Sequence, residues 1–181
     1  MREVVVISSL WEINTSTAII NKRIIALNDI TVYRTSFNVT NSVIELSANS
    51  DGTRFFDVNS SVVTIYNSTI RAHELDKRFT FRVFNNSEIT ILESKICYAY
   101  NPDWGSLYFK ASNATIESTI FYNMSGTLQF ININTVVLKN SEFHESKGIY
   151  ATDVYNITIS EITIAGDSAI SISQGLSLIH I

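Results

Sequence analysis

Short apolar runs recur along the whole chain, separated by polar corners rich in Asn, Ser and Thr. One form of the repeat is an apolar–Thr–apolar triplet, a corner ending in Ser or Thr, and a closing apolar residue. Val63-Thr64-Ile65-Tyr66-Asn67-Ser68-Thr69-Ile70 is followed by Ile89-Thr90-Ile91-Leu92-Glu93-Ser94-Lys95-Ile96. The stretches from Val136 to Phe143 and from Ile30 to Phe37 read alike, and Ala114 to Ile120 and Ile157 to Ile162 are shorter copies. Self-similarity at this scale predicts a solenoid, in which each repeat buries its apolar face only by stacking on the next.

A second alternating run precedes each triplet: Phe55 to Val58, Phe79 to Val83, Leu107 to Ala111, Leu128 to Phe130 and Ile149 to Ala151. Period-two alternation over so few residues predicts strands with one face inward. Gly52, Gly105, Gly126, Gly148 and Gly166 stand just before this run and predict turns. The spacing of Gly105, Gly126 and Gly148 is about 21–22 residues, too short for a propeller blade and enough for three short strands and three corners. Asn59, Asn86, Asn113, Asn134 and Asn156 mark the corner after the first strand. Thr35, Ser68, Ser94, Ser118 and Ser141 mark the corner after the second. Asn tolerates left-handed backbone and bonds its own turn, so these read as corner residues before they read as ligand contacts. Two inward columns are expected: Val32, Ile65, Ile91, Ile116, Leu138 and Ile159 in one, and Phe81, Phe109 and Phe130 in the other. The outward Thr31, Thr64, Thr90, Thr115 and Thr158 suggest an ice-binding array. Their neighbours Tyr33, Tyr66, Leu92, Glu117 and Ser160 are too irregular for one, and Thr is simply favoured on strands.

Composition agrees with an all-β chain. Of 181 residues 45% are hydrophobic, dominated by branched and aromatic side chains, with one proline and six glycines. So few turn breakers argue against a β-sandwich. The formal net charge of −4 and the scattered Lys and Arg exclude a nucleic-acid role. No apolar run approaches a membrane span. Cys97 is the one cysteine, so no disulfide framework exists, and it reads as a small buried hydrophobe.

The string Gly148-Ile149-Tyr150-Ala151-Thr152-Asp153-Val154-Tyr155-Asn156-Ile157-Thr158-Ile159 resembles the repeat of pectin-lyase-like proteins, which runs Gly-Ile, polar corner, Asn-x-x-Ile, polar corner, Ile. The resemblance covers roughly residues 24–172. It implies an all-β, right-handed parallel β-helix of about seven rungs, each of roughly 21–26 residues. It is nearly silent on activity, because this fold carries many unrelated functions.

The catalytic signatures of that superfamily are largely missing. Ala151-Thr152-Asp153 echoes an Asn-Thr-Asp motif, but no paired Asp-Asp, Gly-His-Gly or Arg-x-Lys follows. Inverting hydrolysis needs two carboxylates around one water, and Asp57 and Asp153 belong to different repeats. The charged segment His73-Glu74-Leu75-Asp76 matches no zinc spacing and reads as a solvated insertion loop. No cofactor or metal is expected. A second insertion, Cys97 to Gly105, is aromatic. Tyr98, Tyr100 and Trp104, with the outward Tyr108 and Lys110, form the candidate carbohydrate site, since sugar rings stack on aromatic faces. Arg82 and Tyr150 are expected on the same side. Asn-x-Ser/Thr sequons begin at Asn14, Asn38, Asn59, Asn67, Asn85, Asn113, Asn123 and Asn156.

The expected role is therefore a non-catalytic exported segment of a surface, adhesion or carbohydrate-contacting protein, extracellular or at the cell surface (periplasmic in a Gram-negative cell). The alternative is a piece of a polysaccharide lyase or glycoside hydrolase whose catalytic rungs lie elsewhere. Residues 1–175 read as one domain lacking a capping unit at either end, hence an internal fragment. Leu176 to Ile181 breaks the pattern and reads as a non-native read-through tail.

Overall fold

A computed structural model describes residues 2–100, 105–165, 169–173 and 179–180. Among these the chain is all strand and corner, wound into three eight-stranded parallel sheets. One coil shows the plan. Thr69–Ala72 lies in sheet A, Thr80–Phe84 in sheet B and Glu88–Leu92 in sheet C, and Lys95–Cys97 then returns to sheet A beside Thr69–Ala72. The fold is thus a parallel β-solenoid of about seven turns. Gly166 and, of the tail, Leu176 to Leu178 and Ile181 fall outside the described residues, as does Trp104.

Successive coils are not equally long. The offset between stacked residues is 19 at Glu3–Lys22, 26 at Ser42–Ser68 and 22 at Thr119–Ser141, so the range starts below the expected 21–26. The longest coils carry their extra residues in the corner from sheet A to sheet B, where the sequence reading placed insertions.

Alternation fills the interior. Phe79, Phe81 and Val83 are fully buried, as expected. Each such side chain contributes about 1.5–3 kcal/mol by leaving water. In-register rings one rung apart sit at the spacing of stacked strands: Phe56 and Phe81 at 4.7 Å, and Phe121 and Phe143 at 4.6 Å.

The two expected columns need correction. Ile65, Ile91, Ile116, Leu138 and Ile159 do share one register row in sheet C, but its next member is Val39. Val32 lies in sheet B, opposite Ile13 and Val58. The run Ile30 to Phe37 copies the sheet C motif in sequence, but its strand Ile30–Tyr33 occupies sheet B and its end already belongs to Ser36–Thr40, which takes the sheet C place in that coil. For the same reason Thr31 is absent from the outward threonine row, where Asn38 stands instead. In sheet B, Phe81 pairs with Leu107, and Phe109 with Val83 and Phe130. Phe81 and Phe109 are therefore offset by one inward position, yet their rings still meet edge to face at 5.7 Å.

The corner from sheet C to sheet A is the most regular. Its first residue is left-handed in every coil: Asn21, Asn41, Asn67, Glu93, Ser118, Asn140 and Glu161 have φ between 44° and 56°. A buried hydroxyl follows in the middle coils. Ser68 Oγ donates to Tyr66 O at 2.7 Å and accepts the Ser42 amide at 3.0 Å, and Ser94 repeats both bonds one rung on. Ser42, Thr119 and Ser141 continue the row. Two of the expected hydroxyls are displaced. Ser118 is the exposed left-handed residue and Thr119 the buried one, while Thr35 belongs to the corner from B to C, where its amide donates to Ser61 Oγ. The asparagines also do not form one column. Asn113 and Asn156 open sheet C strands, whereas Asn59 ends a sheet B strand opposite Phe84. The stacked amides are the pairs Asn41–Asn67 and Asn59–Asn85.

Of the expected turn glycines, Gly52, Gly105 and Gly148 have positive φ. Gly148 also has a steric cause, since a Cβ there would lie 2.2 Å from Ala169 O in the next coil.

Candidate functional site

Sheet B carries the outward row Thr31, Asp57, Arg82, Tyr108, Gln129 and Tyr150, in register across six coils. Arg82, Tyr108 and Tyr150 thus share one side. Arg82 Nε donates to Asp57 Oδ1 at 2.7 Å and Nη2 to Oδ2 at 2.5 Å, a bidentate pair. The same guanidinium lies 3.9 Å from the Phe55 ring centroid and 5.3 Å from that of Phe84. Tyr108 stands 6.0 Å from Phe84. This part of the face presents aromatic surface around a charge that is already neutralised.

A polar hollow adjoins it. The corners from B to C use a left-handed residue at Arg34, Ser60, Asn85, Asn132 and Asp153, but the corners 14–16 and 110–112 have none. Lys110 instead extends the ladder, its amide donating to Val83 O at 2.8 Å. Between the unlike corners opens a pocket of about 270 Å³, lined by Asn85, Asn86, Lys110, Ser112, Asn132 and Asn134. Amides, a hydroxyl and one ammonium beside an aromatic strip are suited to a hydroxyl-rich or weakly acidic ligand.

The structure divides the expected aromatic wall. Tyr108 and Lys110 come together on sheet B. Tyr98 follows the sheet A strand Lys95–Cys97 with φ 60°, and its ring meets Tyr122 edge to face at 5.7 Å. Tyr100 is tied into the corner: its amide donates to Phe79 O, and its carbonyl accepts Thr80 Oγ1 at 2.9 Å. Trp104 lies outside the described residues. Phe84 and Asn132 were missed by sequence reading, Asn85 was read only as a sequon, and Asn86 and Asn134 were read as corner residues before ligand contacts. They come from other coils, and a coil spacing that changes along the chain hides which residues stack. The 26-residue offset that holds from Ser42 to Ser94 was the available signal, and it placed Phe84 and Asn85 one coil from Lys110.

The segment His73 to Asp76 also needs correction, because it is not simply solvated. His73 Nδ1 lies 2.9 Å from Glu45 Oε2, and Glu74 Oε1 accepts Ser47 Oγ at 2.8 Å. The Glu45 side chain is fully buried on the outer side of sheet A, beneath Arg23, Arg71 and His73. Burial raises the pKa of its carboxyl, but the hydrogen bonds from Arg71, His73 and Arg23 outweigh this and hold it below the ordinary value. Burial pushes the Cys97 thiol up, which fits an unreactive side chain. The adjacent Glu145 carboxylate pushes Tyr122 up.

Asp57 and Asp153 are four coils apart, about 19 Å at strand spacing, too far to flank one water. Among the described residues no group of three or more His, Cys, Asp or Glu is arranged to hold a metal, and no helix is long and apolar enough to cross a membrane. Comparison with known proteins finds no matching family model, no matching curated protein and no matching solved structure.

Proposed function

We propose that this chain is a non-catalytic, exported β-solenoid that contacts glycan along the outer face of sheet B. The observation that carries this reading is the hollow at Lys110, walled by asparagines and set beside Tyr108 and Phe84. Aromatic faces stack on the apolar sides of sugar rings while amides meet the hydroxyls, and Lys110 favours a neutral or acidic oligosaccharide over a basic one. A row repeated over several coils suits an extended chain lying along the solenoid. The pectin-lyase-like resemblance of the repeat agrees with such a ligand, and exposed sequons at Asn38 and Asn156, away from the hollow, agree with an extracellular location.

The test is a glycan array followed by calorimetry on the best neutral or acidic oligosaccharide. Tyr108→Ala together with Lys110→Ala is expected to abolish binding while the circular dichroism of the fold is unchanged. Binding that survives the double variant overturns the site. Unsaturated products released from polyuronate, with turnover lost in Asp153→Ala, would overturn the non-catalytic reading.

A further inference from the structure

The outer face of sheet A carries a second hollow of about 530 Å³, lined by Arg2, Val4, Arg23, Val43, Thr69 and Arg71. Three guanidiniums line it and no carboxylate does. The one acid beneath them is Glu45, which Arg23 and Arg71 share. Arg23 uses Nε and Nη2 toward it, and Arg71 likewise. Among the described residues neither Nη1 has a partner, and Arg2 has no ion pair. The local balance is therefore an excess of two positive charges.

We propose that this hollow binds a tetrahedral oxyanion group, the sulfate or phosphate ester of a larger ligand. Glu45 prepares the site rather than filling it. Its buried carboxylate fixes two long side chains whose ordering would otherwise oppose binding, and leaves their remaining N–H groups for a ligand. Donors from Arg2, Arg23 and Arg71, with the Thr69 hydroxyl, approach from several sides, which matches three or four diverging oxygens better than a planar carboxylate. Val4 and Val43 give the hollow an apolar part that can receive the organic body carrying the ester. A smaller hollow of about 140 Å³ shares Arg2 and Thr69 and adds Lys95 together with Glu93, whose charges offset each other, so the positive excess is confined to the larger hollow. The site goes beyond the glycan face on sheet B, since it lies on a different sheet and uses different residues.

The experiment is a nitrogen-edited NMR titration of the full chain, following the Nε–H signals of Arg23 and Arg71 at constant ionic strength. The probes are sodium sulfate, sodium phosphate, glucose 6-sulfate and glucose 6-phosphate, with sodium acetate and chloride as controls. Saturable shifts of both arginines with sulfate or phosphate are expected, tighter for the ester than for the corresponding inorganic ion. Whichever ester binds more tightly identifies the anion. Arg2→Gln, which removes an exposed side chain without disturbing Glu45, should weaken binding about fivefold. Tyr108→Ala should leave the titration unchanged, which separates this site from the glycan reading. Shifts that do not saturate, acetate binding as tightly as sulfate and phosphate, or Arg2→Gln binding like the wild type would each overturn the proposal. An ester no tighter than its inorganic ion would remove the role given to Val4 and Val43.

Discussion

The corner from sheet C to sheet A and the corner from sheet A to sheet B join strands of the same solenoid but obey different rules. The first is two residues in the middle coils, a left-handed residue and a buried hydroxyl, and it repeats with Ser68, Ser94, Thr119 and Ser141. The second varies from coil to coil. It swells into the segments 47–54 and 73–79, which hold each other through Ser47–Glu74 and Arg78–Asp51. A two-residue corner whose hydroxyl bridges two rungs cannot change length without breaking the bridge, whereas a longer corner has residues between its cross-rung contacts that can take up a change. Individuality in this molecule therefore sits at the variable corner and on the outer faces of the sheets.

Insertion is the sharpest way to break that comparison. One extra glycine between Asn67 and Ser68 would flip Ile70 outward or break the hydroxyl row, and is expected to cost about 3 kcal/mol or more. The same insertion between Leu75 and Asp76, beside an exposed Leu75, should cost less than about 0.6 kcal/mol. Denaturant melts of the two variants read the difference, and equal losses would contradict it.

Next in size is Glu45→Gln, expected to cost about 2–3 kcal/mol. That lies at or below the lower end for breaking a buried ion pair, because Arg23 and Arg71 are about 40% exposed and reach water. The pH dependence has a definite sign. The pKa of Glu45 is lower in the folded chain than its ordinary 4.5, so its contribution is complete above that value and is lost as pH falls below it toward the folded pKa. Glu45→Gln should flatten this part of the stability profile. An unchanged profile would mean that another carboxylate governs acid unfolding.

Ser68→Ala is smaller, about 1–2 kcal/mol. It strands the Ser42 amide in the corner, whereas the Tyr66 carbonyl keeps the Asn41 amide, and thermal melts can measure it. The smallest effect has the opposite sign. Ser118 is exposed at φ 51°, a conformation glycine adopts freely, so Ser118→Gly should stabilise by up to about 1 kcal/mol. A loss instead would show that the Ser118 side chain holds the corner.

How far the fold was legible can be followed in single residues. Phe79, Phe81 and Val83 were placed inward by alternation alone, and the alternation holds because a strand has only two faces. Val32 was misplaced because its neighbours spell the sheet C motif, and a motif does not say which of three similar strands it occupies. Of the candidate site, Tyr108 and Lys110 were legible, with Arg82 and Tyr150 on the same side, whereas Asn86 and Asn134 were read first as corner residues. Tyr98 looked like part of the same wall, but its ring turns to Tyr122 across a corner that no local pattern describes.

The sequence by itself determined that the chain is a coil of short strands, because repeated alternation with polar corners leaves no other way to bury each apolar face. It also marked Asn, Ser and Thr as corner residues, but not which of them is left-handed and which bridges two rungs, as Ser118 and Thr35 show. Only the tertiary structure decided which outward residues become neighbours. That depends on the register between coils of unequal length, where one residue of offset moves a side chain to the other face. Glu45 shows the consequence. In the sequence it is an acid in an apolar run, and stacking alone sets Arg23 and Arg71 beside it from the coils on either side.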